Sequence, residues 1–241
     1  MNTSFRCPGQ DKRFWQVKDI IEIKCPYCSS MIEFWKDDPM RYCTGCGELI
    51  NNPSINLNCA KWCKTAEECL GDIPEEAIAA SPIIERLKAL LHKKLSSTPR
   101  RMQNALDVLL QAEAMMIKVP GNPSLIKPAS LFIGALLSPR NEELDNIESP
   151  IGDSADWVLL LEQSGMEDDT TKEKIAGSVQ SILDGEFIDT KDYAIIWDAT
   201  QLQRLEILNL KDPTTDIALK LLNAIKTDCG KQMAKRFRDQ D

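Results

Sequence analysis

Apolar and polar positions follow two different patterns along the chain. Near the N-terminus the apolar runs are short and rich in β-prone residues, as in Met31–Trp35, and turn residues separate them. Beyond residue 72 the apolar residues recur at helical spacing over much longer stretches. This change predicts a small β-rich module over residues 1–71 and an all-α domain of six to eight helices over residues 72–241.

Capping signals set the predicted bounds of the helices. Ser81-Pro82 and Thr98-Pro99 are typical N-cap and N1 pairs. Gly165 stands where a C-terminal cap belongs, and Gly185 stands at another such position. The predicted helices cover residues 81–95, 99–118, 128–138, 151–164, 169–184, 190–208 and 214–237. An acidic surface loop is expected over 139–150.

Composition and charge exclude several classes of protein. The formal net charge is −8, with 9 basic and 9 acidic side chains in residues 1–71 and the acidic excess in the remainder. Nucleic-acid binding is therefore not expected, because it needs a basic surface. No apolar run approaches the roughly 18 residues of a membrane helix, and no apolar segment of a secretory signal follows the first methionine. These features predict a cytoplasmic protein.

Nine cysteines are present, and eight of them fall in the first 69 residues. In a cytoplasmic chain, such clustering favours metal binding over disulfide formation. The strongest pattern is two CxxC pairs with 14 residues between them, Cys25/Cys28 and Cys43/Cys46. Two such knuckles let four thiolates converge on one ion, as in a zinc ribbon. A single iron of the rubredoxin type fits the same spacing, so Zn²⁺ is the first prediction and iron stays open.

The remaining cysteines of the module suggest a second site. Cys59, Cys63 and Cys69 are close in sequence, and Cys7 could supply a fourth ligand from the N-terminal arm. Three clustered cysteines with one remote cysteine recur in [4Fe–4S] sites. The spacing is not that of a standard zinc knuckle, so the cluster is the preferred prediction, with Zn²⁺ as the alternative.

The cysteine module also resembles an N-terminal module of proteins from anaerobic bacteria. The resemblance covers residues 5–71. It is carried by these stretches: Cys7-Pro8-Gly9-Gln10-Asp11, Ile21-Glu22-Ile23-Lys24-Cys25-Pro26-Tyr27-Cys28, Ile32-Glu33-Phe34-Trp35-Lys36-Asp37-Asp38 and Cys59-Ala60-Lys61-Trp62-Cys63. In those proteins the module precedes a helical HD-type phosphohydrolase domain. The resemblance implies a zinc-ribbon-like module fused to a degenerate HD-like helical fold, and an anaerobic source.

An HD domain holds a divalent metal with a histidine, an adjacent His-Asp pair and a later aspartate. By resemblance, Asn104 stands where the first histidine is expected, and Ile133-Gly134 stand in place of the His-Asp pair. Asp198 resembles the last aspartate ligand, while the single histidine, His92, lies upstream of these positions. Loss of the ligands predicts a chain that is not an enzyme.

An intact metal module beside a lost hydrolase centre predicts a non-catalytic adaptor or accessory subunit. Such a protein is expected to dock to a partner protein in a redox or metabolic complex. The alternative from another class is a small iron–sulfur protein for electron transfer or redox sensing, in which the second site would hold the working cluster.

Overall fold

A computed structural model describes residues 20–35, 38–53, 75–137, 151–208 and 215–237, and for residues 75–81 it describes the backbone alone. Four short strands precede eight α-helices in this part of the chain. The strands are β1 (Ile20–Lys24), β2 (Met31–Trp35), β3 (Met40–Tyr42) and β4 (Leu49–Asn51). The helices are α1 (Glu75–Lys94), α2 (Pro99–Lys118), α3 (Pro123–Leu136), α4 (Ser154–Gln163), α5 (Asp169–Leu183), α6 (Lys191–Leu208), α7 (Asp216–Ala224) and α8 (Asp228–Ala234). A 3-10 turn, Lys235–Phe237, follows α8.

The strands form two antiparallel hairpins, and we call these hairpins together the ribbon. β1 pairs with β2 so that Ile23 faces Ile32, and β3 pairs with β4 so that Arg41 faces Ile50. Asn52 joins the two hairpins, since its backbone N–H donates to the carbonyl of Pro39 and its side-chain amide donates to the carbonyl of Trp35. The predicted β-rich module is therefore confirmed for the described residues, including a fourth strand that the sequence did not suggest.

The helices pack around α3, which contacts α1, α2, α5 and α6. Its sequence is apolar on almost every side, and Leu131, Phe132 and Ile133 have no exposed surface. A helix that is apolar all round belongs in a core rather than at a surface. The all-α prediction for the second region is confirmed for the described residues, whereas the HD-like assignment stays a prediction.

Two predicted helix starts are wrong. α1 begins at Glu75, so Pro82 lies inside it and Ser81 is not its N-cap. Residues 75–80 read Glu-Glu-Ala-Ile-Ala-Ala, and their helix propensity is high enough to carry the helix through one proline. α3 begins at Pro123 instead of 128, because Asn122 caps it by accepting a hydrogen bond from the Ser124 N–H.

The predicted last helix, 214–237, is two helices separated near Thr227. The Thr227 hydroxyl accepts from the Gly230 N–H at 2.9 Å and so starts α8 as its N-cap. The other predicted helices agree with the structure within three residues at each end. Gly165 and Gly185 both have positive φ, 88° and 75°, directly after a helix as predicted. The predicted domain boundary and the 139–150 loop lie outside the described residues.

Candidate metal centre

The two CxxC pairs fold into matching turns at the ends of the hairpins. In the first, the Cys25 N–H donates to the Ser30 carbonyl at 2.8 Å, and the Ser29 N–H donates back to the Cys25 carbonyl at 2.9 Å. In the second, the corresponding bonds join Cys43 to Glu48 and Gly47 to Cys43, both at 2.8 Å. Each turn therefore has its own pair of backbone hydrogen bonds in addition to any bond that the sulfur atoms make.

The residue after each second cysteine has positive φ, which completes the match between the turns. Ser29 has φ of 62° and Gly47 has φ of 75°. Glycine adopts this conformation readily, whereas serine does so at a cost in free energy. Both turns have positive φ at this position although only one has a glycine there. We infer that the placement of the cysteines requires this conformation.

The turns bring four sulfur atoms together. All four lie within 4.8 Å of one another; Cys25 Sγ is 3.7 Å from Cys46 Sγ, and Cys28 Sγ is 3.5 Å from Cys43 Sγ. A tetrahedral ion with metal–sulfur bonds of about 2.3 Å requires sulfurs about 3.8 Å apart. The four cysteines predicted as metal ligands therefore form a group whose donor chemistry and spacing suit a metal site, and the geometry does not distinguish zinc from iron.

Backbone N–H groups point at the inner sulfurs. The Tyr27 N–H donates to Cys25 Sγ and the Gly45 N–H donates to Cys43 Sγ, each at 3.4 Å. Such bonds stabilise thiolates, which are the form that binds a metal. The inner pair, Cys25 and Cys43, is buried, while Cys28 is half-buried and Cys46 is exposed.

The surroundings move the thiol pKa values in different directions. Burial raises the pKa of Cys25 well above its ordinary value and also raises the pKa of Cys46. Partial burial acts the same way on Cys28, but contacts with Ser30 and with the Cys46 and Cys43 thiols outweigh it and lower the pKa of Cys28 to about 7. A bound cation would favour the thiolate at all four positions.

Tyr27, between the two cysteines of the first turn, docks the ribbon onto the helices. Its hydroxyl donates to the main-chain carbonyl of Ala114 in α2 at 3.2 Å and lies 3.3 Å from Cys229 Sγ in α8. Burial raises the pKa of Tyr27 above its ordinary value, so the phenol stays protonated and can donate. Cys229, the one cysteine outside the module, thus belongs to the docking surface.

A polar contact supports the same docking from the second turn. Glu48 pairs with Lys118 at the end of α2, with 2.7 Å between Nζ and the carboxylate, and accepts from the Gln232 amide at 2.9 Å. Lys118 also lies over the Tyr27 ring, 4.7 Å from its centroid. Sequence reasoning missed these docking residues, because their partners are far apart in the chain and no local motif marks them.

The second predicted site, Cys7, Cys59, Cys63 and Cys69, lies outside the described residues. Its assignment to a [4Fe–4S] cluster or to Zn²⁺ stays a prediction. Within the residues that the structure covers, Cys25, Cys28, Cys43 and Cys46 are the one group of three or more His, Cys, Asp or Glu side chains arranged to hold a metal. His92 is exposed at the end of α1.

The positions aligned with HD ligands take part in helix packing. Ile133 is fully buried. Gly134 lies so close to α2 that a Cβ atom there would be 2.4 Å from the Ala105 Cα and from the Asn104 carbonyl oxygen. The Asn104 side chain accepts from the Gln203 amide at 3.2 Å. The backbones of α2 and α3 are therefore in close contact at Gly134, one of the positions that the resemblance assigns to metal ligands.

Asp198 is buried and works as a cap. Its carboxylate accepts from the Lys226 N–H at 2.7 Å, from the Thr227 N–H at 2.8 Å and from the Thr227 hydroxyl at 2.7 Å. Burial raises the pKa of Asp198, and these three hydrogen bonds oppose the rise. Both carboxylate oxygens are thus engaged at the start of α8.

No family model, curated protein or solved structure matches this chain. In the described part of the chain, none of the helices combines the length and the apolar character needed to cross a membrane.

Proposed function

We propose that this chain is a non-catalytic, metal-binding adaptor. In this proposal the ribbon is docked on the helical body and binds a partner protein. The observation that carries the proposal is the docking contact: Tyr27, which contacts the helices, lies in the same turn as Cys25 and Cys28, two of the four grouped thiols. A metal bound there would fix both the shape of the ribbon and its position on the helices. This is what an adaptor needs if it presents a rigid surface.

The size of the ribbon supports a structural role for the metal. Few of its large side chains are fully buried, chiefly Phe34 and Ile50, each with no exposed surface, and Ile32. So small a core leaves a 30-residue unit marginal on its own, and metal ligation adds folding free energy directly. Zn²⁺ suits this role best, because it has no redox chemistry and prefers four tetrahedral sulfur ligands.

Exposed apolar side chains on the ribbon support a protein partner. Tyr42 is 69 % exposed, Met31 is 54 % exposed and Met40 is 38 % exposed. Tyrosine and methionine are enriched where proteins meet, and both adapt to a partner surface. Met40 and Tyr42 are two residues apart in β3, so their side chains lie on the same side of that strand, and this side is the proposed partner surface.

The absence of catalysis in this proposal rests on the HD-aligned positions. Asn104 is hydrogen-bonded to a glutamine, Ile133 cannot ligate a metal, and Asp198 already accepts three hydrogen bonds. Phosphohydrolase assays with added Mn²⁺ or Ni²⁺ should therefore give no turnover. Metal-dependent turnover that Asp198→Asn abolishes would contradict the proposal.

The adaptor proposal is tested by cross-linking the chain in native extract and identifying the bound protein. A double variant, Met40→Ser with Tyr42→Ser, should lose a defined partner while keeping its metal content. The matched control is Leu159→Ser with Ile217→Ser, which alters equally exposed apolar residues on the helical body, 49 % and 54 % exposed. A chain that remains alone and monomeric, or a partner that both variants retain, would count against the proposal.

A redox role is the second candidate, and the exposure of Cys46 favours it. If the site held one iron, an exposed ligand would give electrons a short path to solvent-borne partners. The test is the content of zinc, iron and acid-labile sulfide in anaerobically purified protein, with its visible spectrum. Iron with a reversible one-electron potential would support electron transfer. Zinc alone, in a colourless sample, would remove this candidate, including the predicted cluster at the second cysteine site.

A further inference from the structure

Arg236 is a buried cation beside the cysteine site. It lies in the 3-10 turn after α8, and it lines the same cavity between the ribbon and the helical body as Cys25 and Pro26 of the first turn. Its side chain is 5 % exposed. Burial lowers the pKa of the guanidinium, while the charges of Glu206, Cys25 and Cys28 act in the opposite direction. A negative charge on the first pair of sulfur atoms is therefore close enough to act on Arg236.

The described residues satisfy only part of this guanidinium. Its Nη2 pairs with Glu206 of α6 at 3.0 Å, and its central carbon lies 4.7 Å from the centroid of the Phe237 ring. Nε and Nη1 are buried and have no hydrogen-bond partner among the described residues. Because neither atom is in appreciable contact with solvent, water does not offset the charge there. A cation in this position is costly in free energy unless further negative charge lies nearby.

A metal-loaded cysteine site would supply that negative charge. Four thiolates around one divalent ion leave two negative charges in excess. Cys25 and Cys43 are buried, so solvent screens their share of this charge poorly. Protonated thiols carry no charge, so the attraction to Arg236 arises only when the metal binds. By linkage, a cation that is attracted to the loaded site also raises the affinity of that site for its metal.

The other cations near the ribbon are less suited to this role. Two lysines are each paired with a glutamate, Lys88 with Glu85 at 3.0 Å and Lys118 with Glu48 at 2.7 Å. Three further charged or titratable side chains of the cavity are exposed, so that solvent screens them: Glu22, Lys24 and His92.

The remaining acid of the cavity is engaged within the helical body. The Asp107 carboxylate accepts from the Gln103 amide at 2.9 Å and from the Gln203 amide at 3.4 Å. Among the described residues that line the cavity, Arg236 is therefore the buried cation whose charge is least offset by its neighbours.

We propose that Arg236 is the counter-charge of the cysteine site and stabilises the metal-loaded ribbon through space. Because Arg236 belongs to the helical body, the same attraction strengthens the docking of a loaded ribbon over that of an empty one. This inference rests on the metal binding in the proposed function and deepens it. It assigns a role in that binding to a residue far from the cysteines in the sequence.

The test is the affinity of the full chain for Zn²⁺, measured by competition with a chromogenic chelator at fixed pH. Arg236→Met should weaken zinc binding about tenfold, which is the effect typical of groups that support metal ligands from outside. Arg236→Lys keeps the positive charge and should restore most of the affinity. Glu206→Gln removes the negative charge that competes for Arg236, so it should tighten zinc binding about threefold.

A similarly buried arginine elsewhere in the body serves as the control. Arg101 in α2 is 7 % exposed and donates to the carbonyls of Ala135 and Leu136. Arg101→Met removes a buried guanidinium from the body, and it should leave the zinc affinity unchanged. The circular dichroism of each variant shows whether its helices are folded.

The two variants of the ion pair distinguish a charge effect from a structural one. Arg236→Met and Glu206→Gln both break the same pair, so a purely structural role would weaken zinc binding in both. The charge effect has opposite signs in the two variants. If Arg236→Met fails to fold, the sign of the change in Glu206→Gln still decides.

Several results would overturn the proposal: unchanged affinity in Arg236→Met, an equal loss in Arg236→Met and Arg236→Lys, a loss in Glu206→Gln, or a similar loss in Arg101→Met. In each of these cases the wild-type chain still binds Zn²⁺, and the adaptor proposal stands. A wild-type chain that binds no Zn²⁺ would instead refute the metal binding itself, so the two failures are distinguishable.

Discussion

We expect the ribbon and the helical body each to be stabilised by a different kind of interaction. In the body, helices bury a continuous apolar core around α3, in which Phe132 stacks beside Trp157. In the ribbon few apolar side chains are buried, and four cysteine sulfur atoms are grouped at the hairpin turns. The difference leads us to expect that the body depends on apolar burial and the ribbon on metal ligation, so that each region unfolds under different conditions.

Metal removal should separate the two regions most strongly. We expect a chelator, or Cys43→Ser, to unfold the ribbon, since apparent zinc-binding free energies of small modules are about 10–16 kcal/mol and exceed what a small core supplies. The helical signal in circular dichroism should persist, while hydrogen exchange of β1–β4 amides becomes fast. Cys229→Ser is the matched control and should keep its full metal content. Loss of the helices together with the ribbon would show that the comparison is wrong.

Shortening a large core side chain should destabilise the helical body and leave metal binding by the ribbon unchanged. Phe132→Ala removes a fully buried ring next to Trp157 and should lower the free energy of unfolding of the body by about 3–5 kcal/mol. Metal stoichiometry should stay the same, because the ribbon turns keep their own hydrogen bonds. Chemical denaturation with parallel metal analysis checks both parts. Metal loss at the same denaturant concentration as helix loss would mean that the regions unfold as one.

Two glycine substitutions sharpen the view of the body. Gly134→Ala would place a methyl group against the backbone of α2, so we expect a loss of about 1–3 kcal/mol in the free energy of unfolding. Gly177→Ala, within α5, meets nothing within 4 Å, so it should raise stability by about 0.5–1 kcal/mol through better helix propensity. Thermal melts of both variants give the sign directly. Equal effects would contradict the close crossing of α2 and α3.

The smallest expected effect concerns the contact between the regions. Tyr27→Phe keeps the ring but removes the hydroxyl that donates to Ala114, so we expect a loss of about 0.5–1.5 kcal/mol. The loss should show as faster hydrogen exchange at the ribbon and the end of α2, with metal content unchanged. Glu33→Gln, on the exposed side of β2, serves as a control. If both variants show the same hydrogen-exchange rates, the Tyr27 hydroxyl does not contribute to docking.

The cysteine site was predictable because its information is local. Two residues between paired cysteines fix a tight turn, and the pairing of Cys25 with Cys46 then follows from two adjacent hairpins. The helices α2 and α5 were predictable for the same reason, since a helix-start signal and a 3.6-residue apolar period lie within each segment. Pro82 misled the prediction, because a proline marks a helix start only when the preceding residues do not continue the helix.

The rest depends on contacts between distant residues. The break before α8 follows from Asp198, 28 residues earlier than the Lys226 N–H that it accepts from. The docking of Tyr27 depends on Ala114, which is 87 residues away in the sequence. No periodicity or motif in the sequence carries this information. The family resemblance was carried by local motifs as well, so the packing of Gly134 against α2 was not foreseen.

The ribbon residues and the α8 residues that they contact are far apart in the sequence, and they are therefore synthesised at different times. Tyr27 and Cys229 are 202 residues apart, and Glu48 and Gln232 are 184 residues apart. At about 5–20 residues per second, a ribosome needs roughly 10–40 s to make the chain between them. The cysteine turns therefore emerge from the ribosome well before α8, which they contact, has been synthesised. During that interval the ribbon can bind a metal but cannot dock on the helical body, so we expect metal binding to be possible before the two regions assemble.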